Sequence, residues 1–247
     1  MNIEDKVSIV TGGASGLGKN IVESLLELGS KVVVFDINQS ALDIMEKNDN
    51  LLILCCDLTK EKQVAKAIQF TVEHFSKIDI LVNNAGILYS EPLVNILATE
   101  KRHSIGSWQK VIDINLTAPF ILSSYVVEQM IMSRTKGVII NISSISAKGN
   151  MGQSAYSAAK SGLESMSKVW AKELGSFGIR SVSIAPGFMN TESTHNAMTD
   201  KLLDEMKSKT PIKKLGEAKH IASTVRFVIE NDHINGKTIE VDGGLVI

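Results

Sequence analysis

The run Val7 to Val10 leads directly into Thr11-Gly12-Gly13-Ala14-Ser15-Gly16-Leu17-Gly18, and a segment of helical period follows. Few folds accommodate that order. Glycines let the backbone turn tightly and approach a ligand, while the free amides and positive dipole end of a helix favour a phosphate. Set between a strand and a helix, the turn reads as a cradle for the pyrophosphate of a dinucleotide, with Gly12, Ser15, Gly16, Leu17 and Gly18 as its contacts. The other reading is a tight turn that holds nothing.

The rest of the chain repeats this alternation. Apolar runs rich in β-branched residues occur at Val7 to Val10, Val32 to Phe35, Leu51 to Cys56, Ile80 to Val82, Val138 to Ile142, Val182 to Ala185 and Thr238 to Val241. Most are continuously apolar, as strands are when helices cover both faces of a parallel sheet. Helical periodicity falls between them: Leu17 to Leu28 with Gly29 as its stop, then roughly 60–75, 107–132, 155–174 and 217–229. The expected fold is therefore α/β, a doubly wound (Rossmann) sheet of seven parallel strands that binds ligands beyond the strands' carboxyl ends. Four prolines, no repeat and no low-complexity stretch predict a single domain over 1–247. Excursions near 88–106 and 188–216 exceed a tight connection and are expected to shape a substrate site.

Charge narrows the partners. Twenty-six Lys and Arg against 27 Asp and Glu leave a net charge of −1, so no global field draws the chain to nucleic acid or to a membrane. No apolar run reaches the roughly 18 residues of a membrane span, and the opening MNIEDKV does not read as an export signal. Cys55 and Cys56 are adjacent and read as core strand residues of a chain in a reducing, cytoplasmic setting. Five scattered histidines predict no metal site. A small molecule is the expected partner.

The second strand ends at Asp36, about 20 residues past the turn, where the adenosine ribose of a dinucleotide lies. Its carboxylate would accept from both ribose hydroxyls and repel a 2′-phosphate, and neither Ile37 nor Ser15 offers an offsetting cation. NAD is thus expected over NADP, with a strand-end turn former as the alternative reading of Asp36.

The strand ending at Ser143-Ser144 precedes a helix that carries Tyr156 and Lys160 on one face. A neighbouring ammonium and an oxidised nicotinamide would stabilise the phenolate, making Tyr156 a proton acceptor, while Ser143 would donate to the substrate oxygen. Either pair alone is common. Joined to the glycine turn, to Asn83-Asn84-Ala85-Gly86 and to Asn115, they form a pattern that resembles the single-domain short-chain dehydrogenase/reductases over essentially the whole chain. The turn is Gly-x3-Gly-x-Gly, Ser143 precedes Tyr156 by 13, and Asn115 precedes Ser143 by 28.

The resemblance implies a tetrad of Asn115, Ser143, Tyr156 and Lys160, with the Asn115 main-chain carbonyl holding a water against the lysine. It implies adenine contacts at Asp57 and Leu58, and a cofactor cleft lined by Asn84, Ala85 and Gly86. Lys160 would grip the nicotinamide ribose, and Pro186, Met189 and Thr191 would sit in the segment holding the carboxamide. Val182 departs from the asparagine of many members. A homotetramer built on the helices near 107–132 and 155–174 is implied, with Ala155, Ala158, Ala159 and Gly162 as a small-residue surface.

Within the family the chain is most similar to type II 3-hydroxyacyl-CoA dehydrogenases, on Gly152 to Tyr156, Ser183 to Gly187, and Ile229 to Asn231 followed by Asn235-Gly236. That implies transfer of a hydride between NAD and a secondary alcohol or ketone, a 3-hydroxyacyl-CoA/3-oxoacyl-CoA pair, with Asn150 near the acyl group. Alternatives are a dehydrogenase of another alcohol, steroid or carrier-bound 3-oxoacyl substrate, and a nucleotide-sensing protein on the same fold. Met189, Met198 and Met206 read as an acyl slot or as a small satellite core. Lys101, Arg102 and His103, with Lys207, Lys209, Lys213 and Lys214, read as phosphate contacts for coenzyme A or as solvated surface. His195 lies where it could approach a substrate, and Trp108 and Trp170 read as packing.

Overall fold

The computed structural model describes residues 1–197 and 199–247, so Met198 lies outside the described residues. The seven expected strands are β1 Val7–Thr11, β2 Lys31–Asp36, β3 Leu51–Cys55, β4 Ile80–Asn83, β5 Val138–Ile142, β6 Arg180–Pro186 and β7 Thr238–Val241. Among the described residues they form one sheet in the order β3-β2-β1-β4-β5-β6-β7, every pair parallel.

The inner strands are buried on both faces, which explains their largely apolar runs, while the edge strands β3 and β7 are partly exposed. Along β2, Val32 and Val34 face one core while Val33 and Phe35 face the other. The first core is closed by α1 (Gly16–Glu27) and, near the end of the chain, by α9 (Ala218–Glu230), through Ile21, Leu25, Ile221 and Val225. On the opposite face, α3 (Glu61–Phe75) contributes Val64 and Ile68.

The stretch expected as one helix near 107–132 is three segments in continuous succession: α4 Ile105–Ile112, a π turn Asp113–Thr117, and α5 Ala118–Met132. Pro119 accounts for the irregularity, because it has no N–H for the carbonyl of Asn115 four residues back and its ring crowds that carbonyl. Ile105–Met132 is long and apolar enough to cross a membrane by composition, yet Leu122, Val126 and Met130 spend that apolarity on the second core. Next comes α6, Ser154–Glu173. Its Ala155 and Ala159 are buried within the chain, and a β-carbon on Gly162 would lie 3.0 Å from Leu116. That corrects the expected small-residue surface: only Ala158 remains exposed, since α6 packs on α4 and the π turn.

The excursion after β6 is more regular than expected, carrying the short helices α7 (Glu192–Ala197) and α8 (Asp200–Lys209). The excursion after β4 has only an isolated bridge between Val94 and Arg102. A further short helix, α2 (Gln39–Asp43), follows β2.

Candidate active site

Chain direction reverses at β1: β2 and β3 build outward on one side of it, then β4 returns to the other. Loops leaving β1 and β4 diverge there and open a crevice at the carboxyl end of the sheet. The crevice is a cavity of about 1010 Å3 whose lining includes Gly12, Asp36, Asn84, Asn115, Ser144, Tyr156, Lys160 and Pro186.

Side chains of the crossing strands hold the β1 turn open. Thr11 Oγ1 accepts from the amides of Asn84 and Ala85, both at 2.9 Å, while Asn84 Nδ2 donates to the carbonyls of Thr11 at 2.9 Å and Gly12 at 3.3 Å. Asn84 thus braces the turn as well as lining the cleft. Gly12 and Gly16 have φ of 62° and 54°, a left-handed backbone that suits glycine. A β-carbon on Gly16 would meet only open space, whereas one on Gly18 would strike the Gly12 carbonyl. Gly18 is therefore a packing glycine under the turn and does not line the cavity, which corrects its expected cofactor contact. Ser15 caps α1 without a side-chain hydrogen bond, leaving the first amides of that helix to an anion in the cleft. These features fit a dinucleotide pyrophosphate.

The remaining expected cofactor residues, Ser15, Leu17, Asp57, Leu58, Ala85, Gly86, Met189 and Thr191, all line the same cavity. Asp36 is oriented by two amides, Ala14 donating to Oδ2 at 3.1 Å and Asn38 to Oδ1 at 3.0 Å. Lys19 pairs with Glu23, and Lys31 begins β2 at the end opposite Asp36. Asp57 accepts from both the amide and the hydroxyl of Thr59. Buried Cys56 lines the cavity, and burial pushes its thiol up to about 11; Cys55 is exposed, contrary to a core assignment.

At the other end of the crevice, Lys160 is buried and its Nζ donates to the Ile142 carbonyl at 2.8 Å, 5.6 Å from the centre of the Tyr156 ring. Burial pushes its ammonium down to about 8. Tyr156 departs from the expected direction. Burial raises its phenol above the ordinary value, and the neighbouring Ser144 side chain acts in the opposite direction. The protein alone therefore stores the phenol in its neutral form, because desolvation outweighs the neighbouring groups.

Ser144, and not Ser143, is the serine at the phenol. Ser143 also lines the cavity, but its hydroxyl donates to Glu164 Oε1 at 2.8 Å, with a longer approach to the Lys160 carbonyl at 3.3 Å. Successive residues leaving a strand present opposite faces, and the main chain of Ser143 still pairs with Ile184 of β6. A count of residues from Tyr156 does not resolve that.

Asn115 is fully buried in the π turn. Its Nδ2 donates to the carbonyls of Ile87 and Val111, both at 3.0 Å, and its Oδ1 accepts from the Ile87 amide at 3.2 Å. Gly86 gives it room: a β-carbon there would lie 2.6 Å from Asn115 Oδ1.

Asn150 does not reach the cavity. Its amide donates to Gln153 Oε1 at 3.2 Å, and it is Gln153 that lines the cleft, buried and donating to Ser90. His103 is likewise removed from phosphate duty, packed edge-on against Tyr89 and Trp108 with Nδ1 3.1 Å from the Glu91 carbonyl. Lys207 pairs with Asp204 and Lys209 with Glu205, while His195 faces Asn190 at 2.7 Å outside the cavity. Met189 is buried against the cleft, but Met206 does not line it. Trp170 packs on the second core, as expected.

The family model described as short chain dehydrogenase matches residues 6–202. The 3-oxoacyl-(acyl-carrier-protein) reductase FabG of Buchnera aphidicola is 36% identical, with 99% of each chain covered. The human 3-hydroxyacyl-CoA dehydrogenase type-2 is 33% identical, covering 99% of this chain and 96% of that protein. A crystal structure of a putative gluconate dehydrogenase from Agrobacterium tumefaciens superposes with a TM-score of 0.88 at 27% identity, covering 99% and 97% of the two chains. With a matched model that spans most of its length, the chain belongs to the short-chain dehydrogenases, oxidoreductases that bind a nicotinamide cofactor.

Proposed function

We propose that this chain interconverts a secondary alcohol and a ketone using NAD, and that its substrate is a 3-hydroxyacyl/3-oxoacyl thioester. The observation that carries the reading is the convergence of Ser144, Tyr156 and buried Lys160 at one end of a cavity whose other end has a phosphate turn and Asp36.

The bound nicotinamide would supply the hydride-exchanging carbon and, when oxidised, a positive charge. Tyr156 Oη takes the proton of the substrate hydroxyl during oxidation and returns it during reduction. Ser144, whose one hydroxyl proton is directed at the phenol in the protein alone, turns it to the substrate oxygen, where charge develops, once substrate is bound. Lys160 keeps a cation beside the ring, and Asn115 supplies a main-chain carbonyl that Pro119 cannot engage. Desolvation in the protein alone keeps the phenol protonated, and of the chain's own groups Ser144 acts against it.

NAD is supported by Asp36, whose carboxylate faces the cleft with no ion pair to it among the described residues. For the substrate, the reductases of carrier-bound 3-oxoacyl groups among the similar proteins favour an acyl-carrier thioester over the CoA thioester expected from sequence. Gln153 takes the place of Asn150 as the polar side chain beside the acyl group.

Turnover of 3-oxoacyl groups on carrier protein and on CoA, set against sugar, steroid and simple alcohols, each with NADH and NADPH, tests the assignment. Carrier-bound substrate with NADH should lead. Activity confined to sugars would remove the thioester, and cofactor binding without turnover on any of them would restore the sensing role.

Pairing of copies through α5 and α6 completes the proposal. A groove of about 430 Å3 between them is lined by Phe120, Val127, Ile131, Trp170 and Leu174, and Met132 is 78% exposed at its edge. A tetrameric mass is expected by light scattering, and a monomer would overturn this.

A further inference from the structure

Ser143 and Glu164 form a contact that the proposed chemistry does not use. Ser143 is 3% exposed, and its one hydroxyl proton goes to Glu164 Oε1 at 2.8 Å in preference to the Lys160 carbonyl at 3.3 Å. Glu164 stands one turn beyond Lys160 and two beyond Tyr156 on α6, so the three share a face of the helix. The same strand end is gripped by Lys160 Nζ on the Ile142 carbonyl at 2.8 Å, and by the Ser143 amide on Ile184 of β6 at 2.7 Å. Ile142, Ser143 and Ser144 are thereby tied to α6 on one side and to the neighbouring strand on the other.

We propose that Glu164 is a positioning residue: by accepting the Ser143 hydroxyl it locks the end of β5 onto α6, and so holds Ser144 against the phenol of Tyr156. The carboxylate is suited to this because a charged acceptor makes a shorter and stronger hydrogen bond than a neutral one. Its charge is not directed at Lys160, whose ammonium is engaged by Ile142. Lys148, paired with Glu240 at 2.7 Å, lies within electrostatic reach of Glu164, and Glu240, Asp242 after β7 and Glu164 together raise its ammonium. Removing the Glu164 charge while keeping its oxygen should therefore leave the clamp working, whereas removing the oxygen should release Ser144.

This inference rests on the oxidoreductase reading for its kinetic arm alone. Glu164→Leu, Glu164→Gln, Ser143→Ala and the Ser143→Ala/Glu164→Leu double variant are compared by two measurements. One is kcat and the KM for the dinucleotide; the other is the ionisation of Tyr156, read as phenolate absorbance lost in Tyr156→Phe, which needs no turnover. Glu164→Leu and Ser143→Ala should each lower kcat about tenfold, less than the roughly 100-fold of losing a transition-state donor outright, without changing the dinucleotide KM. Both should move the Tyr156 ionisation to higher pH, since Ser144 holds the phenol down, and the double variant should be no worse than either. Glu164→Gln should keep the ionisation in place.

Wild-type Tyr156 ionisation in Glu164→Leu, or additive losses in the double variant, would overturn the clamp. Should Glu164→Leu not fold, Ser143→Ala decides by the same readouts. Wild-type protein inert toward every alcohol and ketone, with the ionisation shifts intact, would remove the enzymatic reading and leave the clamp standing.

Discussion

Lys160 holds its Nζ 5.6 Å from the centre of the Tyr156 ring while donating to the Ile142 carbonyl, so that the ammonium is committed to the end of β5 and still lies over the phenol. One buried cation thus links the strand that brings Ser144 to the helix that brings Tyr156. Its charge is costly to bury, as its lowered proton affinity records.

That cost predicts an unusual pH dependence of stability. Lys160 titrates near 8 in the folded protein and at its usual 10.5 when unfolded, so across that window the unfolded chain holds a proton that the folded one has lost. Stability should therefore rise from pH 8 toward 10.5, by about 3 kcal/mol from this group. Tyr156 opposes it higher up: its phenol is raised when folded, so its contribution is full below pH 10 and declines as pH climbs toward the folded value. Urea unfolding at pH 7, 8, 9 and 10 should show the rise, and Lys160→Met should flatten it while abolishing turnover.

Tyr156→Phe should reduce kcat by a factor of about 100 to 10,000, the range for removing a general acid–base. Dinucleotide affinity measured by fluorescence should change little, because the turn and Asp36 are untouched.

Cofactor choice should follow Asp36. Asp36→Ser combined with Ile37→Arg replaces a repelling carboxylate by a hydroxyl and adds a cation for a 2′-phosphate. The ratio of kcat/KM for NADH over NADPH should fall by at least about tenfold, equivalent to roughly 1.4 kcal/mol.

Gly18→Ala places a methyl into the Gly12 carbonyl, so α1 must move away from β1. Overpacking of this kind costs about 1–3 kcal/mol. Calorimetry should show a lower Tm and titration a weaker dinucleotide affinity; Gly16→Ala meets no neighbour and should act only through its left-handed backbone.

How much of this was legible beforehand differs from element to element. Mostly apolar runs locate all seven strands, most plainly where burial on both faces excludes charge, as in β1, β4 and β5. The glycine turn, Asp36, Tyr156 and Lys160 are equally readable, since their chemistry depends on spacing within one local segment: strand, turn, helix, or one helical face. Pro119 four residues after Asn115 was a visible sign of the π turn, although periodicity alone merged the two helices. Helices α7 and α8 are not legible beforehand because six and ten residues are too few to establish a helical period.

What tertiary structure alone decided is which of two neighbours faces the reaction. Ser143 and Ser144 are chemically identical and adjacent, and the choice between them is made by Glu164 and Ile184, one on a helix and one on a strand far along the chain. The placement of Gln153 against Ser90 in the cleft, and of Gly18 under the Gly12 carbonyl, likewise depends on partners outside the local run of sequence. Local sequence determines which groups arrive at the carboxyl end of the sheet, because strand and helix periods are local properties; the direction each side chain points there is set by hydrogen bonds that exist only once distant segments have packed.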